Sequence, residues 1–256
     1  MTPPAPLSFT LPDGDRRTVE VKRLFNAGYA GRRQEDVAAH VAELAELGVP
    51  APSTTPALYP VSPYLAQQTG TVLAQHAKTS GEAEWGLVVD DTGDLLLTAA
   101  CDHTDRELET YGVAWSKNAA PDVLATSAWR LADVDGRLDD LTLRAWVTGG
   151  DGGTGGDGTD VPADARTDAR TEVRPDAEQL IQDGTAAELL TPHHWAEVLR
   201  ERGELEPGTV LISGTIPMLQ GVGQFAARWR VQLADPATGR EISLAYDVLP
   251  MPEPIG

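Results

Sequence analysis

The chain opens with alternation. In SFTLPDGDRRTVEVKRLFNAGYAG apolar and polar residues trade places on either side of Pro12-Asp13-Gly14, which predicts a β-hairpin closed by a tight turn. The period then lengthens: Val37, Val41, Leu44 and Leu47 share one face of a predicted helix, and Gly48 with Pro50 end it. Residues 51–79, rich in Pro, Ser and Thr, read as loops and short strands. WGLVVDDTGDLLLTAA predicts a second hairpin about Asp91-Thr92-Gly93. TDRELETYGVAWSK reads as one helix, with Thr104 and Glu107 as a capping box and Leu108, Tyr111 and Trp115 on one face.

Further on, LDDLTLRAWV predicts a strand, and TPHHWAEVLRERG a helix capped by Thr191 with Pro192 in its first turn. Strands follow in GTVLISGT, FAARWRVQLAD and REISLAYDVLP, the last two joined by a turn at Asp235-Pro236-Ala237-Thr238-Gly239. Strands outweigh helices, so the expected class is α+β and strand-rich. The stretch 149–178 fits neither period: it is Gly-rich, acidic and nearly free of large apolar residues, and is expected to be a disordered insert.

Composition narrows the function classes. A net charge of −19 removes the basic surface that nucleic acid or an anionic membrane requires. No run of 18 apolar residues occurs and the first residues lack a signal-like pattern, so a cytoplasmic protein without a membrane span is expected. The single cysteine, Cys101, has no disulfide or CxxC partner, which also excludes thiolate zinc sites. Only three lysines occur, Lys22, Lys78 and Lys117, so an anionic small-molecule substrate needs a local positive centre.

Carboxylates bracket the second hairpin. Glu82 and Glu84 point to one strand face, and a hairpin centred near Thr92 places Asp102 opposite Glu82, where facing Cβ atoms are about 4.5–5.5 Å apart. An isolated E-x-E is most often a solvated strand face, and Asp105 and Glu107 read as helix caps. Three converging carboxylates become favourable when solvent screens them or a cation neutralises them, and an all-oxygen set suits Mg²⁺ or Mn²⁺. His40 and Glu43, at i and i+3 on the first helix, form either a surface pair or an imidazole general base oriented by its carboxylate. His193 and His194 are adjacent on a helix, point about 100° apart, and make a poor chelate.

Together these residues resemble the fumarylacetoacetate hydrolase superfamily. An E-x-E pair and a later Asp in D-x-x-x-R match Glu82, Glu84, Asp102 and Arg106, and a downstream Lys matches Lys117. Gln182-Asp183-Gly184-Thr185 resembles Q-x-G-N-T, EPGTVLISGTIPMLQGVG resembles PGDVILTGTPxGVG, and His40-Val41-Ala42-Glu43 matches an H-x-x-E lid helix. Within the superfamily the pattern is similar to a bacterial branch catalogued as a domain of unknown function. The sequence departs by its acidic insert, by a short segment between Glu84 and Asp102, and by Ile216 where the motif has Pro.

The resemblance implies a β-roll or sandwich with a few flanking helices: a hairpin and lid helix over residues 1–50, and a metal-binding catalytic roll over 51–256. It implies Mg²⁺ or Mn²⁺ on Glu82, Glu84 and Asp102, catalysis by His40, Glu43 and Lys117, and substrate contacts from Arg106, Gln182, Gly214 and Thr215. The expected activity is hydrolysis of a C–C bond in an acylpyruvate or related 2-oxo acid, with a homodimer as the usual assembly. Decarboxylation or hydration-isomerisation in the same pocket, and a non-catalytic binding role for the roll, are the alternatives.

Overall fold

The computed structural model describes residues 5–46, 52, 54–149, 177–252 and 255. Most of the acidic insert expected over 149–178 therefore lies outside the described residues. The N-terminal hairpin forms as the alternation predicts: β1 (Leu7–Thr10) and β2 (Arg16–Val19) pair antiparallel, and Gly14 takes the left-handed conformation the turn needs. Next come β3 (Arg23–Gly28), α1 (Gln34–Glu46), and the short strands β4 (Ala57–Val61), β5 (Ala66–Gln67), β6 (Thr71–Ala74) and β7 (Thr79–Ser80).

The second hairpin is β8 (Ala83–Val89) with β9 (Leu95–Asp102), continued by β10 (Thr104–Asp105), α2 (Arg106–Glu109) and α3 (Val113–Ser116). After β11 (Asp122–Leu124), β12 (Trp129–Arg130) and α4 (Leu131–Val134) come β13 (Thr142–Thr148) and β14 (Gln179–Thr185). The chain continues through α5 (Pro192–Glu201), β15 (Thr209–Ile212), β16 (Arg228–Asp235) and β17 (Arg240–Pro250). No helix among the described residues is long and apolar enough to cross a membrane.

Two sheets carry the architecture. The larger runs β4-β3-β15-β8-β9-β11-β5, with β12 attached to β9, and the smaller runs β14-β13-β16-β17-β6. Trp85, Leu87, Leu97 and Ala99 on one face of the larger sheet meet Leu143, Ala145, Trp229, Val231 and Leu233 of the smaller one. On the other face, Val88, Leu96, Ala100, Val210 and Ile212 are covered by Leu7, Phe9 and Val19 of the first hairpin. Each buried Leu, Val or Phe contributes roughly 1.5–3 kcal/mol. Because both faces are covered, every residue of β8 is buried, so neither face of its E-x-E strand is solvated.

One predicted helix is in fact two. Thr104 belongs to β10, opposite Ser80, and the N-cap is Asp105, whose Oδ1 accepts from Glu107 N at 3.0 Å and Leu108 N at 3.1 Å. Gly112, a poor helix former, separates α2 from α3 and leaves Tyr111 and Trp115 exposed rather than on a buried stripe. The α5 start follows its sequence signals: Thr191 accepts from His194 N at 3.1 Å, and His193 pairs with Asp135.

Candidate functional site

The open end of the β8–β9 hairpin assembles the site. Ala83 pairs with Cys101 and Glu84 with Ala100, so the same register carried one residue further sets Glu82 against Asp102. Carboxylate oxygens of Glu82, Glu84 and Asp102 all lie within 4.8 Å of one another. Glu84 and Asp102 are each 1% exposed, so solvent does not screen them. From the end of α3, the Lys117 ammonium contacts Asp102 and stands 3.8 Å from Glu82 Oε2. Arg106 donates to Glu82 Oε1 at 2.7 Å, Glu109 Oε2 at 3.0 Å and Ser80 Oγ at 2.8 Å.

A fourth acid joins them that the sequence reading missed. Asp122 faces Asp102 across β9–β11, and its Oδ1 accepts from Asn26 Nδ2 at 3.0 Å. Burial pushes Asp122 well above the usual carboxylate range, and Asp102 adds to the rise. Burial does the same to Glu84, with Lys117 opposing and Asp102 and Glu82 reinforcing. Burial also works against charge on Glu82, but Arg106 and Lys117 outweigh it and hold that carboxyl low. Lys117 keeps its proton because Asp102, Glu82 and Glu84 outweigh the burial that would discharge it.

Two cations thus face four acids, two of which, Glu84 and Asp122, burial pushes toward their neutral forms. Glu84 Oε1, Asp102 Oδ1 and Asp122 Oδ2 are buried without a hydrogen-bond partner. An unsatisfied buried polar atom costs about 1–3 kcal/mol, more when charged. Glu82, Glu84 and Asp102 converge, and two of them, Glu84 and Asp102, carry an orphaned oxygen, so this all-oxygen set fits a hard, oxygen-seeking divalent cation.

Below the carboxylates lies a neutral network. His103 Nδ1 is 3.0 Å from the Tyr246 hydroxyl and Nε2 is 3.0 Å from Thr79 Oγ1. Burial, then Arg106, lowers His103 to about 4, so the ring is uncharged at neutral pH. The Tyr246 hydroxyl reaches Cys101 Sγ at 3.1 Å, and Glu82 N donates to the same sulfur at 3.3 Å. Burial pushes the Cys101 thiol up, leaving it a packing and hydrogen-bonding atom rather than a nucleophile.

A cavity of about 720 Å³ opens above the acids. Glu82, Arg106 and Lys117 are on its wall, as are Gly214 and Thr215 from the segment after β15 and Asp36 and Val37 from α1. Gly214, left-handed at φ +81°, donates its N–H to Glu84 Oε2 at 3.1 Å. Thr215 Oγ1 donates to Ala83 O at 2.9 Å. Gln182 stands behind this wall: its Oε1 accepts from Ala83 N at 2.8 Å, and its Nε2 donates to Thr215 Oγ1 at 2.8 Å and Ile216 O at 2.7 Å. Its amide therefore clamps the start of β8 to residues 215–216.

His40 and Glu43 lie on α1, the helix that supplies Val37, but their side chains are outside the described residues. Tyr29, also on the cavity wall, is among the described residues the one non-glycine residue with a left-handed backbone, φ +56°. Burial raises its phenol, as does Glu109, so it stays protonated. Asp122 and His103 were hidden because a three-residue strand and a residue flanking a ligand carry no periodic signal. Tyr29 had one, the small-residue setting Asn26-Ala27-Gly28-Tyr29-Ala30-Gly31.

A family model described as a protein of unknown function (DUF2848) matches residues 27–159 and 165–246. No curated protein matches the sequence. Among solved structures, the chain is similar to a 2-keto-3-deoxy-D-arabinonate dehydratase complexed with magnesium and 2,5-dioxopentanoate, at 15% identity and TM-score 0.58 over 93% of this chain and 78% of that one. A hexagonal crystal form of 2-keto-3-deoxyarabinonate dehydratase gives 16% identity and TM-score 0.58 over the same shares. A 4-oxalocrotonate decarboxylase from Pseudomonas putida G7, complexed with calcium and acetate, gives 16% identity and TM-score 0.47 over 89% and 76%. The two dehydratase matches establish the fold, the strand-rich roll that the motifs implied.

Proposed function

The chain belongs to the DUF2848 family, whose match takes in the whole carboxylate floor, and from that premise we propose that it is a metal-dependent enzyme acting on a 2-oxo acid. The reaction proposed first is hydrolysis of a C–C bond beside the oxo group. One observation carries this reading: Glu82, Glu84 and Asp102 converge, the last two buried with an orphaned oxygen each, beside a buried lysine that shares with Glu82 the wall of a substrate-sized cavity. The similar dehydratase, complexed with magnesium and 2,5-dioxopentanoate, supports the choice of ion and substrate class.

When bound to Glu82, Glu84 and Asp102, Mg²⁺ or Mn²⁺ supplies Lewis acidity toward the adjacent oxygens of the substrate. The chain's own groups do the rest. The Lys117 ammonium, fixed between Asp102 and Glu82, offers positive charge to the oxygen on which an enolate develops as the bond breaks. Arg106, held at Nε, Nη1 and Nη2, keeps Glu82 oriented and charged. Gly214 and Gln182 fix Glu84 and the start of β8 respectively. His40, which the motif resemblance pairs with Glu43, is assigned the general base for water, a function typically worth 10²–10⁴-fold.

Acylpyruvates and 2-oxo acids assayed with and without Mg²⁺ test the reading, followed by kcat for His40→Ala and Lys117→Ala. Hydrolysis expects a loss of about 10²-fold or more on His40→Ala with metal affinity unchanged. A loss confined to Lys117→Ala, with CO₂ or water released, reassigns the enzyme to decarboxylation or dehydration. Absence of metal-dependent turnover or binding across the panel removes the reading.

A further inference from the structure

The cavity is too large, and its far wall too apolar, for a small oxo acid alone. At roughly 30 Å³ per water-sized group, a five-carbon oxo acid of eight non-hydrogen atoms takes roughly 240 Å³, a third of the 720 Å³ available. Beside Arg32, Arg33, Asp36 and Glu188, its lining includes Val37, Val113, Leu189, Ile216, Pro217 and Met218. Resting on the function proposed above, we infer that the substrate is a 2-oxo acid whose far end is an uncharged, apolar group of several carbons.

Charge accounting around the wall supports this. Arg32 is spent on Asp139, at 2.8 and 2.7 Å, and on Leu189 O at 3.0 Å. Arg33 pairs with Asp36 at 2.8 Å, and Arg106 with Glu82 and Glu109. Glu188 Oε1 accepts from Thr185 N at 2.9 Å. Among the described residues, each charged group on this wall already has a protein partner. The Arg33 side chain is 79% exposed, so a distal carboxylate meeting it there would gain only a solvent-screened contact. An apolar group instead exchanges water for the half-buried Val113 and Met218.

Calorimetric binding of a series of 2-oxo acids to the Mg²⁺-loaded protein tests the inference. The series runs from 2-oxobutanoate to 2-oxooctanoate, with 4-phenyl-2-oxobutanoate and the dicarboxylate 2-oxoadipate. Affinity should rise about fourfold per added methylene, the worth of one buried CH₂. The phenyl compound should bind at least tenfold tighter than 2-oxobutanoate, and 2-oxoadipate should gain nothing over it. Val113→Asp should flatten the chain-length series and Val113→Leu should keep it. A flat series in the wild type, or 2-oxoadipate as the tightest ligand, overturns this inference while leaving the proposed function standing. If Mg²⁺ binds but no 2-oxo acid of any length does, both fall together.

Discussion

The β8–β9 and β16–β17 hairpins are built alike and used differently. In β16–β17, which pairs from Arg228–Asp247 to Asp235–Arg240, Trp229, Val231, Leu233, Ile242, Leu244 and Tyr246 turn inward, while Arg228, Arg230, Gln232, Glu241 and Ser243 turn outward. Its charges pair at the surface, and Arg230 lies 3.6 Å above the Trp146 ring. In β8–β9 the same alternation sends Glu84 inward on one face and Trp85 inward on the other. A hairpin with one wet face stores charge at little cost. One covered on both faces must neutralise its charge locally, which is why Lys117 and Arg106 converge on it.

The contrast breaks most sharply at Lys117. Removing one partner of a buried ion pair costs about 3–5 kcal/mol, so Lys117→Ala should lose that much stability in urea titrations of the metal-free protein. A loss below about 1 kcal/mol would show that the acids do not depend on this ammonium. Divalent binding comes next: at a hundredfold excess over Kd, Mg²⁺ or Mn²⁺ should stabilise by about 2.7 kcal/mol. Thermal melts should show the gain in wild type and none in Glu84→Gln.

Gly81→Ala probes the packing under the acids. A Cβ there would stand 2.7 Å from the Tyr246 hydroxyl and from Trp229, and 2.8 Å from Cys101 Sγ, so overpacking should cost about 1–3 kcal/mol by denaturant melts. On the surface hairpin the effects shrink. Arg230→Ala should cost about 0.5–1 kcal/mol, the worth of an exposed cation–π contact, measured the same way.

The hairpins differ in acid as well, because Glu84 is shifted up and Asp235 down. Burial would raise the Asp235 carboxyl at the β16–β17 turn, but the Thr238 hydroxyl and Arg137 outweigh it and hold it below the ordinary range. A depressed carboxyl adds stability above its unfolded value, about 3.9, and loses it as pH falls through the folded value. Asp235→Asn should flatten that acid limb of the pH–stability curve, and an unchanged limb would assign it elsewhere.

What the sequence made legible was local. The Asp91-Thr92-Gly93 turn set the β8–β9 register and with it the meeting of Glu82 and Asp102, because a tight turn fixes every pair that follows it. Thr191 announced α5 by its own side chain. What stayed hidden depends on contacts distant in the chain. The covering of β8 by the first hairpin, and the placing of Asp122 opposite Asp102, are tertiary events with no period of their own. The split at Gly112 was visible as a glycine but was overridden in the reading by the apolar spacing of Leu108, Tyr111 and Trp115.

The Gly214 N–H that holds Glu84 comes from 130 residues further along, and the Gln182 clamp on Ala83 from 99. On a ribosome adding about 5–20 residues per second, roughly 7–26 s separate the synthesis of Glu84 from that of Gly214. The β8–β9 hairpin, being local, can close within microseconds of its emergence, on the order of 1–10 μs. Its acids then wait in water, where their charge is cheap, until β15 inserts between β3 and β8 and brings Gly214 with it. The burial of charge that creates the site is thus deferred until the strand that seals it has been made.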